Sequence, residues 1–349
     1  MTQTSRLVLA CMMCGCASPP GWVDDRFFIR VDDADLHVHA VGEATSNKFV
    51  LMLHDDPAGG SGRYELAPSA ATLHEEMVMI YLDQRGAGAS QTRTAPADIT
   101  LELLREDLLT VIEVIERMYL EPNTGHPELW LMGHGWGGMV GPSVLFETDA
   151  AERLAGWIEV AGAHDLPKVH LDSAAQLLEA AQTRLEEDLD EDSRSGWTSI
   201  RKAAEAASPT ADSLQAFLDL QQVAWSAIRL SDEVAFSTVS NAEALGWYLQ
   251  HPDPDGTRSA IVEAVTAALL RAELQTSWSE RYRELALPTL LLNGRHNYVV
   301  PSTLNDDVEL RIASDHIESV LFEQSAHHPM FEEPTAFADT LLDFMGEPR

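Results

Sequence analysis

From Arg26 onward, short apolar runs bounded by polar loops come first, and runs with helical spacing then alternate with them. Phe27–Val31 and Leu36–Val41 flank Asp32-Asp33-Ala34-Asp35, whose turn-forming residues predict a hairpin. Phe49–Leu53 and Val78–Leu82 are continuous apolar runs, the pattern of strands buried on both faces. Within Leu101–Leu120, the residues Leu104, Leu108, Val111, Ile112 and Ile115 recur at helical spacing, and Pro122 lies just past the end, which predicts one long amphipathic helix. Leu129–Met132 reads as the next strand, Gly137–Phe146 as a helix opened by small residues, and Trp157–Val160 as another strand.

The rhythm changes after His164. Residues 165–280 carry no strand signal and are rich in Ala, Leu, Glu and Gln. Their acidic run, Glu186 to Asp192, fits a solvated loop or helix face. Trp197, Trp225, Trp247 and Trp278 also fall here, and aromatic core packing explains them more simply than a lid pocket does. Thr289–Leu292, Ser319–Phe322 and a helix over Pro334–Phe344 then restore the alternation. The pattern predicts an α/β protein whose core (26–164 and 281–349) is interrupted by a helical insertion (165–280).

The N-terminus is a separate matter. Leu7–Gly15 is an apolar run too short to span a bilayer and suited to the hydrophobic region of an export signal. The stretch Met13-Cys14-Gly15-Cys16 resembles a bacterial lipoprotein cleavage box with Cys16 as the lipidated residue. The expected plan is a signal over 1–15, a tether over 16–25, and an exported protein on the cell envelope, held to the membrane only by that lipid. All three cysteines (Cys11, Cys14 and Cys16) lie here, so the body of the chain has neither a disulfide framework nor a catalytic cysteine. The net charge of −33 argues against nucleic acid and against anionic membrane surfaces as partners.

Candidate chemistry centres on Gly133-His134-Gly135-Trp136-Gly137, which follows a strand and opens a helix as a nucleophile elbow does. His54-Asp55-Asp56-Pro57-Ala58-Gly59-Gly60 resembles an oxyanion loop, with Asp56 and Trp136 at the positions that supply the hole. Asp83-Gln84-Arg85-Gly86-Ala87-Gly88-Ala89-Ser90 resembles a segment of the prolyl iminopeptidases. Asn293-Gly294-Arg295-His296-Asn297 and Ser325-Ala326-His327-His328-Pro329 resemble the loops carrying a triad acid and a triad histidine. Together they resemble the prolyl iminopeptidase group of the α/β-hydrolase superfamily. The resemblance implies a mostly parallel sheet flanked by helices, with a helical cap.

The catalytic residues do not all carry over. Gly135 stands at the nucleophile position and has no group that attacks a carbonyl. Asn297 stands at the acid position and supplies no negative charge for an imidazolium. Asp55 and Asp56 stand where glycines are usual, and carboxylates oppose a developing oxyanion. Only His327 keeps its residue type. Asp165 is a possible alternative acid, although a helix-capping aspartate is the simpler reading. His54, His134 and His327, with the two aspartates, are suitable ligand types for a metal, but no ligand spacing supports one, so no metal or cofactor is expected. The resulting expectation is an exported, non-hydrolytic pseudoenzyme that binds a small molecule, a peptide or a protein partner. The alternative is a working aminopeptidase or esterase with an unrecognised nucleophile.

Overall fold

The apolar runs form strands of one sheet in a computed structural model that describes residues 21–208, 210–234 and 257–346. The strands are β1 (Trp22–Val31), β2 (Ala34–Glu43), β3 (Lys48–Leu53), β4 (Val78–Leu82), β5 (Gln91–Thr92), β6 (Glu128–His134), β7 (Gly156–Val160), β8 (Thr289–Gly294) and β9 (Ile317–Phe322). Their order is β1-β2-β4-β3-β6-β7-β8-β9, with β5 added on β2. β1 and β2 are antiparallel, β2 meets β4 antiparallel, and every pair from β4 to β9 is parallel. The crossovers put helices on both faces, and alternate residues of β3 serve the two sides. Phe49, Leu51 and Leu53 join the core shared with Val111, Met139 and Val144. Val50 and Met52 join the core shared with Phe337, Leu341 and Phe344.

Several boundaries differ from the sequence pattern. β1 begins at Trp22, paired with Glu43, so residues 22–25 belong to the sheet and not to the tether. The hairpin turn is only Asp32-Asp33, with Asp32 in the left-handed region, because pairing runs on to Val31 and Ala34. Helix α2 (Leu101–Ile115) starts on Thr100, whose side chain accepts from Leu103 N–H, and ends in a wider π turn over Glu116–Leu120. The short elements α1 (Ala70–Glu76), β5 and the helix Thr303–Glu309 span too few residues to show a period.

Helix α3 (Gly137–Glu147) follows β6, and the insertion is helical: α4 (Leu166–Leu185), α5 (Glu191–Ala206), α6 (Leu214–Leu230) and α7 (Thr257–Glu273). The acidic run is the turn from α4 to α5, where Asp190 caps α5 by accepting from Ser193 N–H at 2.9 Å. Trp197 is buried within the insertion, and Trp247 lies outside the described residues. α8 (Thr303–Glu309), α9 (Pro329–Glu332) and α10 (Pro334–Gly346) complete the described helices.

Candidate functional site

β6 runs directly into α3 through one tight turn, and Gly135 sits at its apex with φ +49°. L side chains pay roughly 1–2 kcal/mol for that backbone region, and glycine does not. The turn is pinned on both sides: Gly135 N–H donates to Val160 C=O at 3.1 Å, and Gly135 C=O accepts from Gly138 and Ala163 N–H at 2.9 Å each. This is the elbow geometry that the strand–turn–helix pattern implies.

The place where a nucleophile's side chain would stand is taken. A Cβ built on Gly135 would lie 1.7 Å from Asp55 Oδ1, which leaves no room for any side chain while Asp55 holds its position. Asp55 comes from the loop after β3. Its Oδ1 lies 3.2 Å from His327 Nε2, and its Oδ2 accepts from Arg63 Nη2 at 3.0 Å. Burial alone would raise the Asp55 carboxyl, but His327, His134 and Arg63 outweigh it and hold it well below the usual carboxylate range. Its neighbour Asp56 is pushed up, chiefly by the Asp55 charge.

Trp136, one residue past the elbow, supplies the backbone N–H that an oxyanion hole needs. Here that N–H donates to Asp55 C=O at 2.9 Å. His54 fixes the same loop: its Nε2 accepts from Gln84 N–H at 3.1 Å, so its Nδ1–H donates to Asp56 C=O at 2.7 Å. Both contacts suit a neutral imidazole, and burial depresses the His54 pKa to about 4.

His327 lies on the loop between β9 and α9. Glu332 holds that loop by accepting from Ala326 N–H at 2.8 Å and His328 N–H at 3.1 Å. Asn297 does not reach His327 as a hydrogen-bond partner. Its Oδ1 accepts from Val299 and Val300 N–H, both at 3.1 Å, and its amide donates to Asn293 at 2.8 Å. His327 Nδ1 is buried without a hydrogen-bond partner among the described residues. Asp165 is no substitute acid: it caps α4, accepting from Lys168 N–H at 2.8 Å, and accepts from Ser279 Oγ at 2.9 Å and from Ser277 Oγ.

Asp55, His134 and His327 bring their ligand atoms within 4.8 Å of one another, which poses the question of a metal. The hydrogen bonds answer it. His134 Nε2–H donates to His327 C=O at 2.7 Å, which leaves Nδ1 to accept from Tyr64 O–H at 2.8 Å. Tyr64 O in turn accepts from Asp55 N–H and Arg63 Nη2, each at 3.0 Å. Both His134 nitrogens are engaged, burial pushes its pKa down to about 3, and the set does not fit a metal.

Above this floor lies a cavity of about 500 Å³. Asp55, Asp56, Gly135, Trp136 and His327 line its core side, and Leu166, Val169, Phe217, Gln221, Gln222, Trp225, Arg229 and Leu270 line its cap side. The Trp225 ring meets His327 edge-on, with centroids 5.5 Å apart. Of the insertion tryptophans, Trp225 therefore faces the pocket, while Trp278 packs on the core with its Nε1–H on Met139 Sδ. Arg63, Tyr64 and Glu332, which organise this floor, lie outside the motifs and carry no sequence signal of their own.

The strand order, the elbow and the histidine loop define a protein of the α/β-hydrolase class. The family model for serine aminopeptidase, S33, matches residues 58–334, and the chain belongs to that family. The chain is similar to the probable aminopeptidase YbaC of Bacillus subtilis (strain 168), at 23% identity over 308 residues, covering 86% of this chain and 89% of that one. In fold it is similar to the proline iminopeptidase of Mycobacterium smegmatis, with a TM-score of 0.63, 16% identity and coverage of 92% and 97%. It is also similar in fold to VinJ, with a TM-score of 0.61, 18% identity and the same coverage.

Proposed function

We propose that this chain no longer hydrolyses esters or amides through an acyl-enzyme and is a pseudoenzyme with respect to serine hydrolysis. Its retained pocket receives a small, mainly apolar molecule or the apolar end of a peptide, and a protein partner that seats such a side chain fits the same pocket. The observation that carries this reading is Asp55, which fills the nucleophile's place with its carboxylate and closes the Trp136 N–H with its carbonyl. An acyl transition state needs both a nucleophile at the elbow and free donors beside it. The elbow holds a glycine, and its donor is already engaged.

The reading includes location: an export signal over residues 1–15 and a lipid on Cys16 would place the pocket on the cell envelope, outside the cytoplasm. Among the described residues no helix is long and apolar enough to cross a membrane. The function is tested by incubating the protein with a serine-directed fluorophosphonate, a proline arylamide and a short ester. No labelling and no turnover above background are expected. Labelling that disappears in His327→Ala would overturn the reading.

A further inference from the structure

We propose that the pocket recognises an amphiphilic zwitterion, a molecule with an ammonium at one end, a carboxylate at the other and an apolar body between them, and that Asp56 holds the ammonium while Arg229 holds the carboxylate. The proposal rests on the preceding reading that the retained pocket receives a small molecule, and it adds the two charged ends. Free short peptides and ω-amino acids share this chemistry. Its warrant is that two charges of opposite sign line one cavity, Asp56 from the core side and Arg229 from the cap side, and neither has an answering group. Asp56 is 59% exposed, and its carboxyl accepts no hydrogen bond among the described residues. The Arg63 guanidinium approaches it only to 3.8 Å, because Arg63 Nη2 is engaged with Asp55 and Tyr64, each at 3.0 Å. The Asp55 charge also works against ionisation of Asp56, so an ammonium set beside it relieves a repulsion that the site otherwise carries.

Arg229 stands at the other end, exposed on α6, and its guanidinium donates to Ser226 Oγ at 3.0 Å. Acidic residues outnumber Lys and Arg by 56 to 23 in this chain, yet none pairs with Arg229 among the described residues. The acids that follow it, Asp232 and Glu233, pair instead with Arg184, at 3.3 and 2.7 Å. A guanidinium in this state presents the fork of donors that a carboxylate fills. Simpler ligands satisfy only half of the site. A fatty carboxylate gains at Arg229 but drives its tail toward Asp55 and Asp56, and a fatty amine gains at the floor but leaves Arg229 to water. Between the two ends, Phe217, Trp225 and Leu270 offer apolar wall. Trp225 lies one turn before Arg229 on the same helix, and its ring is stacked on His328 with planes 26° apart, so this wall is already in place. Trp136, 3% exposed, lines the same cavity, and its indole Nε1–H has no acceptor among the described residues. A buried donor of this kind calls for an acceptor, and an amide in the body of a ligand supplies one.

The test is calorimetry with 8-aminooctanoate, octylamine, octanoate, 1-octanol and trileucine on the wild-type protein, Asp56→Asn and Arg229→Gln. Both exchanges fall on exposed side chains, and an unchanged melting temperature checks that each variant folds. Wild type is expected to bind 8-aminooctanoate at least about tenfold tighter than octylamine or octanoate. Asp56→Asn is expected to bring 8-aminooctanoate down to the level of octanoate without weakening octanoate itself. Arg229→Gln is expected to bring it down to the level of octylamine without weakening octylamine. These comparisons in the wild type need no variant. Trileucine binding tighter than 8-aminooctanoate, with the margin lost in Trp136→Phe, assigns the site to a peptide, and the reverse order assigns it to an ω-amino acid. Zwitterions that bind no tighter than 1-octanol overturn this proposal alone, because the pocket still takes an apolar molecule. Absence of binding by every probe, 1-octanol included, also removes the small-ligand pocket on which the proposal rests.

Discussion

The sharpest consequence of the site concerns Gly135→Ala paired with Asp55→Ala. The alanine at 135 meets two penalties. One is the left-handed backbone at φ +49°, roughly 1–2 kcal/mol for an L side chain. The other is Asp55, whose Oδ1 lies 1.7 Å from the new Cβ and must leave. Moving it breaks the contacts with His327 and Arg63, each a hydrogen bond to the ionised Asp55 carboxylate. Such bonds are worth about 1.5–3 kcal/mol in a buried setting, but the Arg63 side chain is 36% exposed, so about 2 kcal/mol for the two together is a sober figure. Gly135→Ala alone should therefore cost about 3–4 kcal/mol. Asp55→Ala alone loses the same two contacts, about 2 kcal/mol. The double variant loses them once and has no clash, so it should cost about 3–4 kcal/mol and not the additive 5–6. Equilibrium urea denaturation of the four proteins gives the coupling directly, with an expected value near 2 kcal/mol in favour of the double variant. Additivity within about 0.5 kcal/mol would refute the claim that glycine and aspartate compete for one place.

Three further outcomes follow from the same geometry. Gly135→Ser with Asn297→Asp should show no p-nitrophenyl acetate turnover above wild type, because the Trp136 N–H remains on the Asp55 backbone carbonyl and the side chain at 297 is held by Val299 and Val300 N–H rather than by His327. A clear gain in esterase rate would contradict this. His164 lies buried between Glu159, 2.6 Å from its Nδ1, and Asp307. Burial alone would depress its pKa, but the two carboxylates outweigh burial and raise it from 6.5 to about 9. Its contribution to stability is therefore full below pH 6.5 and is lost as pH rises toward 9, and the wild-type melting temperature should fall across that window by more than that of His164→Gln. Parallel curves would sink the point. Finally, Cys16→Ser should move the protein from the membrane fraction to the soluble fraction after cell lysis, and unchanged fractionation would remove the lipid anchor.

How far the sequence could be read depended on the range of the interaction. Elements long enough to repeat were legible: the apolar runs of β3, β4 and β6, and the Leu104–Leu108–Val111–Ile115 stripe of α2, each state their own burial. Elements of seven residues or fewer with mixed composition, such as α1 and β5, are too short for a repeat to stand out and went unseen. The tether, expected to run to residue 25, ends earlier because Trp22–Asp25 pair with Ala40–Glu43, a partner that local pattern cannot reveal. In the site, five short motifs in order were enough to locate the elbow, the two aspartates, Asn297 and His327. Their meaning was not legible, because it rests on distances between loops far apart in the chain. Read along the sequence, Gly135 and Asp55 are two separate departures from a hydrolase pattern, one a lost nucleophile and the other a spoiled oxyanion loop. In space each accounts for the other. The carboxylate at 55 requires an elbow residue with no Cβ, and once it is seated its carbonyl takes the Trp136 N–H and its oxygens take His327 and Arg63. A decaying site would leave an empty place above a glycine. This one holds an ionised group, paired on both oxygens, at the floor of an open pocket, and the paired alanine variants distinguish those two cases.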